Sequence, residues 1–240
     1  MRVADRMANL GTETAFEVLA EVKELEAQGK DIISFAIGEP DFATPENVKQ
    51  AGIRAINANE THYGPSAGRI ELREAIARYI SRTREIPVTP EQVVVTPGAK
   101  PIIFFTILAT INPGDEAIYP TPGFPIYESV IRFVGGRPVP LPLLEEKGFE
   151  FDVDYLRSLI TPRTRLIILN SPQNPTGGML SAPTLAAVAE MALENNLWVL
   201  SDEVYSRIVF DGEFHSIASI PGMQERTILL DGFSKTYAMT

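Results

Sequence analysis

Asn170-Ser171-Pro172-Gln173-Asn174-Pro175-Thr176-Gly177-Gly178, entered directly from the apolar run Leu166-Ile167-Ile168-Leu169, is the stretch on which the reading of the fold turns. The apolar run reads as a strand. Two prolines and two glycines then make a rigid loop that holds Asn174 at the edge of a sheet. Strand-like runs recur at 117–119, 137–141, 197–200 and 227–230, and helical stretches separate most of them, notably 152–160 and 181–195. Strands alternating with helices in this way predict an α/β domain around a largely parallel sheet. Val93-Val94-Val95 is a further β-branched run, followed by Thr96-Pro97-Gly98 and an apolar, helix-length stretch to Ile111.

Nearer the start, Val18, Val22 and Leu25 recur at helical spacing over 14–28, and Gly29 sits where such a helix stops. Asp31-Ile32-Ile33-Ser34-Phe35 reads as a short β-type run ending in Ile37-Gly38-Glu39-Pro40. Thr44 before Pro45 reads as a helix N-cap with proline at the first helical position. A further helix carries Leu72, Ile76 and Tyr79 on one face.

These elements belong to a chain of 240 residues, 45% hydrophobic and 22% charged, the makeup of a globular protein able to bury a real core. The net charge of −10 argues against a nucleic-acid or anionic-membrane partner. Any bound anion must therefore be held by local geometry. Without cysteine there is no disulfide or thiolate metal site, and with only His62 and His215 no metal is expected. No apolar run approaches a membrane span. The opening MRVADRMANLGTETAF carries charges where a signal peptide needs its apolar stretch, so the expectation is a soluble cytoplasmic protein. Trp198, the only tryptophan, falls within a strand and reads as core.

In such a sheet, ligands bind beyond the carboxyl ends of the strands. The chemistry-bearing residues gather there: Gly98-Ala99-Lys100, Phe124, Asn174, Asp202 with Tyr205, and Ser234-Lys235. The small-residue turn at 98–100 aims backbone N–H groups at an anion, or is an ordinary strand-to-helix turn; it matches neither the G-x-G-x-x-G nor the P-loop pattern. Asp202 ends a strand as a helix cap or as a catalytic acid. Its neighbour Glu203 carries the same charge, so comparing the two is expected to isolate a specific contact of Asp202. Lys235, in Asp231-Gly232-Phe233-Ser234-Lys235-Thr236-Tyr237, is a solvated side chain or a reactive amine.

Seven segments narrow these alternatives: IGEPDF (37–42), THYGPSAG (61–68), TPGAK (96–100), PTPGFPIYES (120–129), NSPQNPTGG (170–178), SDEVY (201–205) and FSKTYAMT (233–240). Their order and spacing resemble the fold-type I pyridoxal-phosphate-dependent enzymes, specifically the class I and II aminotransferases, from about Gly11 to Thr240. The resemblance implies an N-terminal arm and part of a small domain over residues 1–44. Residues 45–240 would be the cofactor-binding large domain, a mostly parallel sheet between helices. It further implies pyridoxal 5'-phosphate as cofactor, an L-amino acid and a 2-oxo acid as substrates, and a homodimer as the working unit.

By the same resemblance, Lys235 forms the Schiff base with the cofactor and moves the proton at the substrate α-carbon. Asp202 keeps the pyridine nitrogen protonated, and Tyr205 and Asn174 donate to the ring's phenolic oxygen. Phe124 stacks on the ring, and Gly98, Ala99, Lys100 and Ser234 hold the phosphate. Tyr63 reaches the phosphate of a second subunit, and Gly38 lies beside the substrate carboxylate. Many aspartate-specific relatives have tryptophan where this chain has Phe124, which brings aromatic and other neutral amino acids into range. The sequence stops five residues past Lys235. Family members continue with a phosphate-binding arginine, another strand of the large sheet, and a C-terminal domain whose arginine grips the α-carboxylate. The chain alone is therefore expected to be a poor transaminase and only marginally folded. A β-lyase or decarboxylase would use the same lysine, aspartate and asparagine. A non-catalytic effector-sensing domain is the alternative outside catalysis, and the acidic chain shows no basic helix-turn-helix segment to support it.

Overall fold

The computed structural model describes residues 2–11 and 14–240; Met1, Thr12 and Glu13 of the charged opening stretch lie outside them. One sheet contains β1 (Glu116–Thr121), β2 (Arg137–Leu144), β3 (Glu150–Phe151), β4 (Thr164–Asn170), β5 (Trp198–Asp202) and β6 (Thr227–Leu230). Their spatial order is β3-β2-β1-β4-β5-β6; the short β3 runs antiparallel to β2 and every other pair is parallel. The chain builds outward from β1 to β3, returns to the far side of β1, and builds outward again through β4. The topological switch point therefore lies between β1 and β4.

Among the described residues, α1 (Thr14–Ala27), α2 (Glu46–Asn57), α3 (Ile70–Arg84) and then α4 (Ala99–Thr110) precede the first strand. Of these, α4 covers the sheet together with α5 (Ile126–Phe133), α6 (Val153–Leu159) and α7 (Ala182–Glu194). The period-two alternation of a strand explains the layering. Leu166 and Ile168 of β4 pack with Ile103 and Ile107 of α4 and Val130 and Ile131 of α5. Ile167 and Leu169 pack on the opposite face with Leu156 of α6 and Val188 and Met191 of α7. Each of these β4 side chains is buried, worth about 1.5–3 kcal/mol apiece. Two faces covered by helices require strands without a polar side, and β4 has none.

Local signals explain the helix ends. Asp152 accepts the Tyr155 N–H at 2.9 Å to start α6, and Ser181 caps α7. Gly29, at φ +83°, ends α1 as predicted. At the amino ends of the strands, the buried Glu116 carboxylate accepts from Arg137 at 3.0 Å, Arg163 at 2.9 Å and Thr161 at 2.6 Å, tying β1 to β2 and to the turn before β4.

Some expectations fail. The runs at 31–35 and 93–95 form no ladder. β propensity expresses packing against neighbouring strands, and none adjoins either run among the described residues. Ile33 and Phe35 are accordingly exposed, while the Val95 N–H donates to the Ala67 carbonyl at 3.0 Å. Thr44 caps no helix: α2 starts after Pro45, and the Thr44 hydroxyl donates to the Ala238 carbonyl instead. Trp198 opens β5 and is 43% exposed, so it is not core. Among the described residues no helix is long and apolar enough to cross a membrane.

Candidate active site

The ladder sets Asn170 beside Asp202, and Asp202 beside Leu230, so three strands end abreast. Asn170 fastens these ends. Its Nδ2 donates to the Asp202 carbonyl at 3.1 Å and the Pro172 carbonyl at 3.2 Å, and its Oδ1 accepts the Asn174 N–H at 2.8 Å. The buried Gln173 donates to the Pro122 carbonyl at 2.8 Å and accepts from the Thr176 N–H and hydroxyl. The loops carrying Phe124 and Asn174 are thus tied across the switch point.

Asp202 is 4% exposed. Its Oδ2 accepts the Tyr127 hydroxyl at 2.6 Å, and Oδ1 accepts a longer bond, 3.4 Å, from the Val204 N–H. Burial raises this carboxyl to about 6, against the pull of those two donors, and the nearby acids Glu203 and Asp231 push the same way. Tyr127 is fully buried on α5, and burial together with the Asp202 charge lifts its phenol well above the usual range. Tyr127 therefore stays protonated and donates. Its ring meets that of Phe124 edge-on, centroids 6.0 Å apart and planes at 89°. Half-buried Tyr205, three residues past Asp202, has its phenol raised by burial and then by the Asp202 charge.

Lys235 follows β6, and its Nζ donates to the Gly38 carbonyl at 2.5 Å, bringing the segment before α2 to the lysine. Gly98 opens α4 at φ +93°, with open space where a Cβ would stand and no side chain capping the helix. Pro101 in the first turn has no N–H to satisfy. Lys100 Nζ lies 5.8 Å from the centre of the Phe124 ring. The structure thus ties Gly38 to Lys235, the Lys100 ammonium to Phe124, and Phe124 through Tyr127 to Asp202. Ser234 is half-buried beside Lys235, whereas Tyr63 is fully exposed.

Glu203 is no simple control for Asp202. It is 1% exposed, accepts from Arg84 Nε at 2.8 Å through Oε2, and accepts from Ser201 at 2.9 Å and Ser216 at 2.6 Å through Oε1. Successive residues at a strand end point to opposite sides, which gives two adjacent acids unrelated surroundings. Tyr127 and Arg84 escaped the sequence reading because their acid partners lie 75 and 119 residues away. The only trace of Tyr127 was its place in PTPGFPIYES; Arg84 left none.

These features define a doubly wound α/β domain with Asn174, Asp202 and Lys235 at or past the carboxyl ends of β4, β5 and β6, on one side of the switch point. Comparison with known proteins is more specific: the aminotransferase class I and II family matches residues 30–240, and the chain belongs to that family, whose members use pyridoxal 5'-phosphate. A probable aspartate/prephenate aminotransferase of Aquifex aeolicus is 40% identical over 240 residues, covering 99% of this chain and 61% of that protein. An aromatic-amino-acid aminotransferase 2 of Thermococcus litoralis is 43% identical over 217 residues, covering 89% and 56%. The solved aspartate aminotransferase from Thermus thermophilus with maleate matches with a TM-score of 0.96 at 39% identity, covering 100% of this chain and 62% of that one. The chain therefore spans about three fifths of the length of the relatives it matches.

Proposed function

We propose that this chain supplies the cofactor-binding part of a pyridoxal-phosphate-dependent aminotransferase, which moves an amino group from an L-amino acid to a 2-oxo acid. The observation that carries the reading is Asp202: a buried carboxyl hydrogen-bonded to a phenol and an amide, with two further acids raising it. A buried charge in that company calls for a cation, and a protonated ring nitrogen is one. The uncapped start of α4 at Gly98, with room where a Cβ would stand, fits a phosphate.

When bound, pyridoxal 5'-phosphate supplies an electron-accepting ring that stabilises negative charge at the substrate's α-carbon. Asp202 would hold the proton on the ring nitrogen. Tyr205 and Asn174 would donate to the ring's phenolic oxygen, and Phe124 would cover one ring face. Gly98, Ala99, Lys100 and Ser234 would hold the phosphate. Lys235 would bond the cofactor covalently through Nζ and, once displaced by the substrate amine, would use the same nitrogen to take the proton from the substrate α-carbon. Gly38 would lie beside the substrate carboxylate, a role supported by its carbonyl's bond to Lys235. Tyr63 would reach a second copy of the chain in a homodimer; its full exposure supports that.

The same reading divides the chain into an arm with part of a smaller domain, residues 1–44, and a large domain, residues 45–240. Both core clusters fall within the second segment, which supports the division. A cytoplasmic setting belongs to the proposal too.

To test the reading, the protein is loaded with pyridoxal 5'-phosphate, reduced with borohydride and mapped by mass. The adduct is expected on Lys235; an adduct on Lys100, or one that persists in Lys235→Ala, would overturn the assignment. Acidic and aromatic amino acids, the classes named for the relatives, form the substrate panel. An oxo acid with aminated cofactor retained on the protein marks transfer, whereas pyruvate and ammonia would mark elimination and refute it.

A further inference from the structure

Arg84, the last residue of α3, is 3% exposed, and the chemistry described above makes no use of it. Its guanidinium donates from Nε to Glu203 at 2.8 Å, and from one terminal nitrogen to Ser206 at 2.9 Å and Asp231 at 3.3 Å. The other terminal nitrogen donates to Thr83 at 2.9 Å, and Cζ stands 5.0 Å from the centre of the Phe214 ring. The backbone carbonyl of Arg84 accepts the Ser219 hydroxyl at 2.6 Å. One side chain thus joins the segment after β5, the segment after β6 and the end of a helix that precedes the sheet.

Those segments carry the candidate site. Glu203 follows Asp202 directly, and its N–H donates to the Leu230 carbonyl at 2.8 Å. Asp231 Oδ1 accepts the Gly232 N–H at 2.7 Å and so shapes the turn that leads to Ser234 and Lys235. We propose that Arg84 is a positioning residue: by clamping Glu203 and Asp231 together it fixes the segments after β5 and β6 against each other, and so sets where Asp202 stands relative to Lys235. This rests on the cofactor reading given above.

The chemistry of the clamp favours this role over mere stabilisation. A buried ion pair is a weak source of net stability, because desolvation of both charges offsets their attraction. A guanidinium, however, presents donors in a planar fork that holds several acceptors at fixed angles, which a lysine ammonium does not. Two carboxylates and a serine, drawn from the two segments after β5 and β6 onto one fork, form a geometric device.

The test uses the protein loaded with pyridoxal 5'-phosphate and three variants: Arg84→Lys, Arg84→Met with Glu203→Gln, and Asp202→Asn. The readouts are the visible circular dichroism of the bound cofactor, the cofactor dissociation constant, kcat and KM, and thermal unfolding of the cofactor-free protein. Both Arg84 variants are expected to unfold cooperatively yet lose at least half of the visible dichroic signal. Their kcat should drop tenfold or more with little change in KM. The double variant guards against a single variant that fails to fold, since it removes the fully buried Glu203 charge that loss of Arg84 alone would leave unpaired. A folded Arg84 variant with the parent's dichroism and kcat would overturn the proposal. So would loss of cooperative unfolding in both, which would make Arg84 a stability element only. Asp202→Asn separates the two levels: if it leaves the cofactor's spectrum unchanged, the cofactor reading fails, whatever Arg84 does.

Discussion

Asp202 keeps its proton up to about pH 6 in the folded chain, against an ordinary value of 3.8, because burial disfavours its charge. The direction of the linkage follows. Below about pH 4 both folded and unfolded chains hold the proton, and Asp202 has no effect on stability. Between about 4 and 6 the unfolded chain releases it first, so stability falls as pH rises; above 6 the whole effect is present. A gap of about two pH units at 1.36 kcal/mol each is about 3 kcal/mol. Asp202→Asn, free of cofactor, should therefore match its parent near pH 4 and be more stable by up to about 3 kcal/mol at pH 7. Urea unfolding of the two proteins across that range checks it, and equal stability at pH 7 would refute it. Glu203→Ala should behave oppositely. It removes the closer of the two carboxylates that hold the buried Arg84 guanidinium and leaves only Asp231 at 3.3 Å; breaking a buried pair costs about 3–5 kcal/mol. Its unfolding midpoint should fall sharply, whereas Asp202→Ala should lose the cofactor's visible band while remaining folded. The places of Asp202 and Asn174 at or just past strand ends, and of Lys235 in the segment after β6, were legible because each stands in a distinctive local run. Tyr127 and Arg84 were not, because what they do depends on contacts that only the folded chain creates.

Elements were legible where their stabilisation is local or periodic. The helical stretches that begin at Asp152 and Ser181 and the apolar run of β4 are of that kind, and so is the stop at Gly29. The runs at 31–35 and 93–95 read as strands because their residues suit a pleated surface. Suiting a sheet is not joining one, and the pairing partner is information from elsewhere in the chain. The loop after β4 shows how tightly an element can be specified. A Cβ on Gly178 would stand 2.8 Å from the Gly148 carbonyl oxygen and from the Phe149 Cβ. The Gly178 carbonyl also accepts the Gln173 N–H at 2.9 Å, so the loop cannot yield without moving Asn174. Gly178→Ala should weaken binding of pyridoxal 5'-phosphate tenfold or more with the cooperative fold retained. Titration of the visible band against cofactor concentration measures this, and unchanged affinity would show that the loop accommodates a methyl group.

For the molecule as a whole, the sheet is asymmetric in what protects it. β4 is flanked by a strand on each side, while among the described residues no strand pairs with the outer edge of β6. At the start of β6, Arg226 Nε and Thr227 Oγ1 are buried without a hydrogen-bond partner. Such an edge presents unpaired N–H and C=O groups. In the 240-residue chain the outward amides of β6 should exchange hydrogen at least a hundredfold faster than those of β4, as read by mass spectrometry. Equal protection of the two strands would show that something covers the edge. The exposed position of Trp198 has an optical consequence. It begins β5 and Asp202 ends it, so the only indole in the chain lies about 13 Å along the strand from the proposed ring-nitrogen site. That separation is short enough for an indole to pass its excitation to a chromophore absorbing in the near ultraviolet. Emission from this single fluorophore should dim in proportion to cofactor occupancy, giving a label-free signal already built into the strand that carries Asp202.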